Sequence, residues 1–239
     1  PPFCDIIHGN IGERRRRHMY EKELEKILKA AGADLVGFSS LGENRSPEHP
    51  EYGYAVTIAR KLSRAVIKTI NGAPTMEYFQ HYRATNARLD SIALDAVSFI
   101  ENAGYLALPV AASQSTPDKK EEYRGIFPHK TGAVLPGLGF IGKNGLLITE
   151  FGSAVRFATV LTDMPLASQR EIQPCLCGSC QICKNACPAG AITGEIYVPG
   201  ADRSTIFDAK KCSEHMKTYK NIGRGAVCGI CISVCPFNK

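Results

Sequence analysis

Two cysteine runs, each closed by a proline, constrain this chain more than any other feature. The first is Cys177-x2-Cys180-x2-Cys183-x3-Cys187-Pro188. The second is Cys212, followed after fifteen residues by Cys228-x2-Cys231-x3-Cys235-Pro236. This is the bacterial ferredoxin arrangement, in which three thiolates on a tight turn meet three corners of one 4Fe–4S cube. The fourth, after a short helical step, points away and ligates a second cube. Pairing the runs in that crossed manner gives one cluster to Cys177, Cys180, Cys183 and Cys235, and the other to Cys187, Cys212, Cys228 and Cys231. Pro188 removes a backbone donor and turns the chain away, while Gly178, Ser179, Ala186, Ala189 and Gly190 are small enough to let backbone amides approach the sulfides. Zinc also uses C-x2-C, but wants two separated pairs per site rather than two complete runs. Cys175 and Cys4 fall outside the pattern and read as buried or incidental thiols.

The rest of the chain says where such clusters would operate. Of ten cysteines, nine lie between Cys175 and Cys235, whereas a disulfide framework would be spread through a small secreted domain. Clustering at one end, at two- and three-residue gaps, points to metal, and the chain is expected to be cytoplasmic. No apolar run approaches the roughly 18 residues of a membrane span, so no membrane partner is expected. The net charge of +6 is a modest excess, compatible with an anionic ligand. Arg14–Arg17 reads as a solvated stretch before a helix. The charged HMYEKELEKILKAAG that follows it is unlike the apolar part of a twin-arginine export signal.

Two cubes make an electron relay, and a relay needs a terminus. The 176 residues ahead of Cys177 are far more than a free ferredoxin requires. Within them Tyr20, Leu24, Ile27, Leu28 and Ala31 recur at helical spacing up to Gly32, and Leu89, Ile92, Ala93, Ala96 and Ile100 do so up to Gly104. Segments 33–40, 52–59, 105–112, 145–150 and 153–163 read as strands, with a polar loop at 114–128. The expectation is an α/β (α+β) domain with a mixed sheet over 1–166, followed by a ferredoxin-like domain over 167–239. Between them runs HKTGAVLPGLGFIGKNGLLI (129–148), whose glycines would let backbone pass close to a large flat ligand. Gly137-x-Gly139-x-x-Gly142 has the letters of a dinucleotide fingerprint, but it precedes a strand instead of linking strand to helix, so that reading fails.

The segments GLGFIGKNGLLI, RFATVLTDMPL, CGSCQICKNACPAGAI, CSEHM and CGICISVCPFN occur in the order and spacing of the epoxyqueuosine reductase family, which is related to the reductive dehalogenases. The chain resembles a short form of that family, ending at Lys239 without the C-terminal helical repeats that help longer members bind tRNA. The resemblance implies a nitroreductase-like domain holding cobalamin, fused to a ferredoxin-like domain with two 4Fe–4S clusters that reduce the cobalt. It implies that Gly137, Leu138, Gly139, Phe140, Ile141, Gly142, Lys143 and Asn144 border the corrinoid. Phe140 stands where the family usually has tryptophan, and Lys143 is expected at a corrinoid amide or the phosphate tail.

One departure concerns the proton. The family's acidic donor, just before the glycine segment, is replaced here by His129, Lys130 and Thr131. His129 titrates near neutrality and is the expected donor. Lys130, at an ordinary pKa of about 10.4, would be reluctant unless buried. Tyr82, one helical turn from Tyr78, is the next candidate, and Asp163 is expected to cap the turn after its strand.

The sequence therefore reads as an oxidoreductase with epoxyqueuosine as leading substrate, placing it in queuosine biosynthesis. Its partners would be an external low-potential donor such as ferredoxin or flavodoxin, and a small electrophile or tRNA-borne nucleoside. Two alternatives stand beside it: an FMN-dependent iron–sulfur reductase, and an electron-transfer partner with no organic cofactor of its own.

Overall fold

The computed structural model describes residues 3–113, 123–166, 172–223 and 226–238, with side chains from residue 12 onward. Cys4's side chain, residues 114–122 of the polar loop and the expected domain junction at 167–171 lie outside the described residues.

The apolar spacing from Tyr20 to Leu28 belongs to helix α1 (Phe3–Ala30), which buries Leu24 and Leu28 completely. Arg14–Arg17 lie inside this helix rather than ahead of it, because arginine is a good helix former and the exposed face tolerates charge. The helix ends where Gly32 takes φ +104°, its carbonyl accepting from Arg60 Nη1 at 2.6 Å. Next come β1 (Leu35–Ser40), β2 (Tyr54–Lys61), a short α2 (Arg64–Ile67) and the long α3 (Met76–Asn102). Thr75 caps α3 by accepting the Tyr78 N–H at 3.2 Å. Then follow β3 (Ala107–Val110), α4 (His129–Val134), the two-residue strands β4 (Phe140–Ile141) and β5 (Leu147–Ile148), and β6 (Val155–Thr162). The last part carries three short helices, α5 (Ile182–Ala186), α6 (Ala209–Met216) and α7 (Ile230–Ser233).

The main sheet has the order β1-β2-β6-β3, and every neighbouring pair is antiparallel. The mixed sheet expected from sequence is thereby corrected. β2 and β3 do run in the same direction, as a strand–helix–strand unit demands, but β6 inserts between them and converts one parallel contact into two antiparallel ones. Alternating helix and strand signals report the direction of each strand, not its neighbours.

Strand alternation sorts the two faces. Val56, Ile58, Ala158 and Val160 point toward α1 and α3, where Leu24, Leu28, Leu89, Ile92, Ala96 and Ile100 complete the main core. Ala59 and Phe157 point the other way, packing with Ala133 of α4 and Leu147 of β5. A third apolar group ties Ile67, Ile70 and Tyr78 to Ile222, Val227, Ile230 and Ile232, which docks the cysteine-rich part onto the start of α3. Among the described residues no helix is long and apolar enough to cross a membrane.

Candidate cluster and cavity site

The cysteines are presented by turns and helix ends. Cys177 and Cys180 share a turn closed by Cys180 N–H donating to the Cys177 carbonyl at 3.0 Å. Cys183 rides on α5, and Cys187 is that helix's C-cap at φ −75°, ψ 109°, where the chain leaves for Pro188. Cys212 lies on α6, whose first turn is capped by Asp208 accepting the Lys211 N–H at 2.9 Å. Cys231 lies on α7, which starts at Gly229 in the left-handed region at φ 78°. A Cβ there would come within 2.7 Å of the Tyr78 ring, so only glycine lets α7 approach α3 so closely.

The thiols perturb one another in two sets that touch at Cys183 and Cys231. Burial pushes Cys177 up to about 11, with Cys175 and Cys235 adding to it. Burial also raises Cys183, beside Cys235 and Cys180. In the second set burial pushes Cys212 up to about 11, beside Cys228 and Cys187. Burial raises Cys231 as well, with Cys228, Cys212, Cys187 and, more weakly, Cys183 around it. Cys235 thus stands with the first run, and Cys187 with the second. Left alone these sulfurs hold their protons, so bound iron must displace them. Among the described residues no three His, Cys, Asp or Glu side chains close around a single-ion position.

Cys175 is not remote from this chemistry. Its thiol is in hydrogen-bonding contact with Cys177, and it packs with Phe140, Ile148, Cys235 and Phe237. No spacing rule could have found it.

A cavity of about 1920 Å³ opens beside that packing group. Its walls include Gly37 and Phe38 of β1, then Pro136, Leu138, Phe140 and Phe237. A Cβ on Gly37 would stand 2.6 Å from Pro136 Cγ, so the glycine lets the 136–138 segment lie directly on β1. Lys22, Arg60, Lys61, Arg64 and Lys68 line the cavity, and Glu21, Glu25, Asp34 and Glu150 share the lining with them. The Phe140 and Phe237 rings meet edge to face at 5.5 Å, with Cys235 and Cys177 in the same packed group.

Of the residues expected along a corrinoid, Gly137, Leu138, Gly139 and Phe140 line this cavity, while Ile141, Gly142, Lys143 and Asn144 do not. Lys143 and Asn144 are only 5% and 3% exposed. The Lys143 backbone N–H is directed at the Cys177 sulfur. Asn144 accepts from Leu146 N–H at 3.1 Å and donates to the Cys231 carbonyl at 3.5 Å. These residues brace both cysteine sets instead of facing the cavity. Gly139 also has a different reason to be glycine, since a Cβ there would collide with the Ile148 carbonyl across the β4–β5 ribbon. The close approach is to the protein's own backbone.

The expected proton donor is corrected by its surroundings. His129 Nε2 lies 2.9 Å from the Ala111 carbonyl and must carry the ring hydrogen; Nδ1 lies 2.9 Å from Thr159 Oγ1 and accepts. Burial pushes the imidazole down to about 4, the Ala111 carbonyl opposing and Arg156 reinforcing the shift. At neutral pH it is uncharged with both nitrogens engaged, so it offers no ready proton. Lys130 is buried and donates from Nζ to the Gly145 carbonyl at 2.6 Å. Burial, aided by nearby Arg203, pushes it down to about 8. Tyr82 is outside the cavity lining, with the Arg156 guanidinium 4.3 Å from its ring and Tyr78 alongside at 6.2 Å. Arg156 itself is tied to Asn86 Oδ1 at 2.9 Å and the Ala112 carbonyl at 2.8 Å, a structural setting for the phenol. Asp163 accepts the Leu106 N–H at 2.8 Å, tying the end of β6 to the approach to β3 instead of capping its own turn.

The His129 setting gives a pH signature. The unfolded imidazole takes a proton near its ordinary value of 6.5, the folded one only near 4. Between these values the unfolded chain binds more protons, so the contribution of His129 is whole above 6.5 and declines as pH falls toward 4. In urea unfolding at a series of pH values, the stability advantage of the unmodified chain over His129→Gln should shrink on acidification through that window. A gap that widened there would contradict the neutral, doubly bonded ring.

Residues 176–238 match the family model described as a 4Fe-4S double cluster binding domain. The chain is 33% identical over 150 residues to the tetrachloroethene reductive dehalogenase of Sulfurospirillum multivorans, covering 59% of this chain and 27% of that protein. It is 38% identical over 104 residues to the epoxyqueuosine reductase of Synechococcus sp. (strain RCC307), covering 43% of this chain and 32% of that one. It thus spans less than half the length of either relative. In fold it is similar to the catabolic reductive dehalogenase NpRdhA in complex with 3-bromo-4-hydroxybenzoic acid, at a TM-score of 0.74 and 21% identity over 90% of this chain and 31% of that one. An epoxyqueuosine reductase crystallised with an epoxyqueuosine-modified tRNA stem loop gives 0.58 and 24%, over 93% and 66%.

Sheet, helices and family match define the class, a protein in which an α/β domain with an antiparallel sheet precedes a 4Fe-4S double cluster binding domain. Within that class the chain is similar, at a distance, to epoxyqueuosine reductases and reductive dehalogenases.

Proposed function

We propose that the chain is a cytoplasmic, cobalamin-dependent reductase with a nitroreductase-like domain over 1–166 and a ferredoxin-like domain over 167–239. It takes electrons from a low-potential carrier such as ferredoxin or flavodoxin and reduces an electrophile, epoxyqueuosine being the leading candidate. The observation that carries this reading is the contact between cavity and cysteines: Phe140 lines one and packs on the other. At about 1920 Å³ the cavity exceeds the roughly 300–1,000 Å³ of ordinary small-ligand pockets, which suits a corrinoid and would leave FMN loosely held. When bound, cobalamin supplies a metal centre whose reduced state attacks an electrophilic carbon. The chain's own part is to shape the wall with Gly37 and Leu138, to meet the corrinoid's phosphate with Arg60, Lys61 or Arg64, and to exclude water with Phe140 and Phe237. Lys130 lies outside the cavity lining with its Nζ donating to the Gly145 carbonyl, so it braces the glycine segment behind the wall.

The test is anaerobic reconstitution followed by titration with cobalamin and, separately, with FMN, read by absorption. Saturable cobalamin binding is expected. Loaded protein should then reduce epoxyqueuosine, offered as the free nucleoside and in a tRNA stem-loop. Binding of FMN alone would overturn the corrinoid reading. Retention of cobalamin with both substrates untouched would overturn the substrate.

A further inference from the structure

The second cysteine set has a polar neighbour that ferredoxin spacing does not require. The Tyr219 hydroxyl lies 3.8 Å from Cys228 Sγ, within hydrogen-bonding reach of a sulfur. His215 Nε2 lies 3.1 Å from the same oxygen, and the two rings meet edge to face at 5.2 Å and 89°. The geometry follows from sequence spacing, since His215 sits in the last turn of α6 and Tyr219 four residues on. Tyr219 packs, half-buried, on the apolar group that contains Ile222 and Val227 and that Cys228 and Cys231 also join, which holds the phenol beside the sulfur.

The direction of the chain of hydrogen bonds is set by chemistry. A thiolate on iron has no proton, so Cys228 can only accept and the phenol must donate to it. The phenol has one hydrogen, so it accepts from His215 Nε2–H. A hydroxyl that accepts one hydrogen bond donates a stronger one. By contrast, Cys177 and Cys183 are met by the backbone N–H groups of Lys143 and Lys184. A donor on a ligand sulfur withdraws negative charge and favours the reduced, more anionic cluster.

We propose that Tyr219, oriented by His215, is a positioning residue that raises the reduction potential of the cluster held by Cys187, Cys212, Cys228 and Cys231. The proposal rests on those four residues holding one 4Fe–4S cluster.

The experiment is a redox titration followed by electron paramagnetic resonance on the anaerobically reconstituted full chain, with iron counted in each sample. Tyr219→Phe should keep about eight irons per chain and move one midpoint to a more negative value, leaving the other in place. The midpoint that moves must belong to the signal lost in Cys228→Ala. His215→Phe should move the same midpoint in the same direction by less, while His215→Gln, which keeps an N–H donor, should restore part of the difference. Unchanged midpoints with full iron in Tyr219→Phe overturn the proposal, as does movement of the signal lost in Cys180→Ala. If Tyr219→Phe sheds iron, the two His215 variants decide by the same midpoint. Iron well below eight in the unmodified chain would instead overturn the cluster reading on which this rests.

Discussion

Replacing Cys187 by alanine should destroy or degrade the cluster shared with Cys212, Cys228 and Cys231, and spare the one beside Cys187 in sequence. Iron should fall from about eight per chain toward about four. The reason is spatial: Cys187 ends α5, and its sulfur lies with Cys212 and Cys231. Cys187→Ala and Cys228→Ala should therefore give the same residual spectrum, and Cys187→Ala and Cys183→Ala different ones. If Cys187→Ala matched Cys183→Ala, the crossed wiring would be wrong.

Gly139→Val should be among the most damaging single substitutions outside the cysteines. An added Cβ meets the Ile148 carbonyl, which is backbone and cannot rotate aside. The β4–β5 ribbon must open, carrying Phe140 away from Cys235 and Cys177. A loss of about 3 kcal/mol or more is expected, measured by urea unfolding, together with iron loss from the first cluster. A control is Gly12→Ala in α1, where nothing lies within 4 Å of the added Cβ; it should be neutral or gain about 0.5–1 kcal/mol. Full iron and unchanged stability in Gly139→Val, with weaker cobalamin binding alone, would show that this glycine serves the ligand instead.

Sequence alone determined what depends on near neighbours. C-x2-C spacing is a local geometric requirement, so the double-cluster domain at 176–238 was legible from the cysteines. The helices α1 and α3 were legible too, because a 3.6-residue period and a terminal glycine are properties of one segment. The tertiary structure decided whatever depends on distant partners. β6 slots between β2 and β3 because hydrogen bonds across a sheet join segments far apart in the chain, which no strand pattern encodes. Gly139 could be recognised as a close approach, yet whether a ligand or Ile148 approaches it is a matter of folding. His129 looked like an acid by its ordinary pKa, and Lys130 did not. Both were altered by burial and by partners at Ala111, Thr159 and Gly145, since an ionisation equilibrium answers to the surrounding dielectric and charge rather than to the residue's own chemistry.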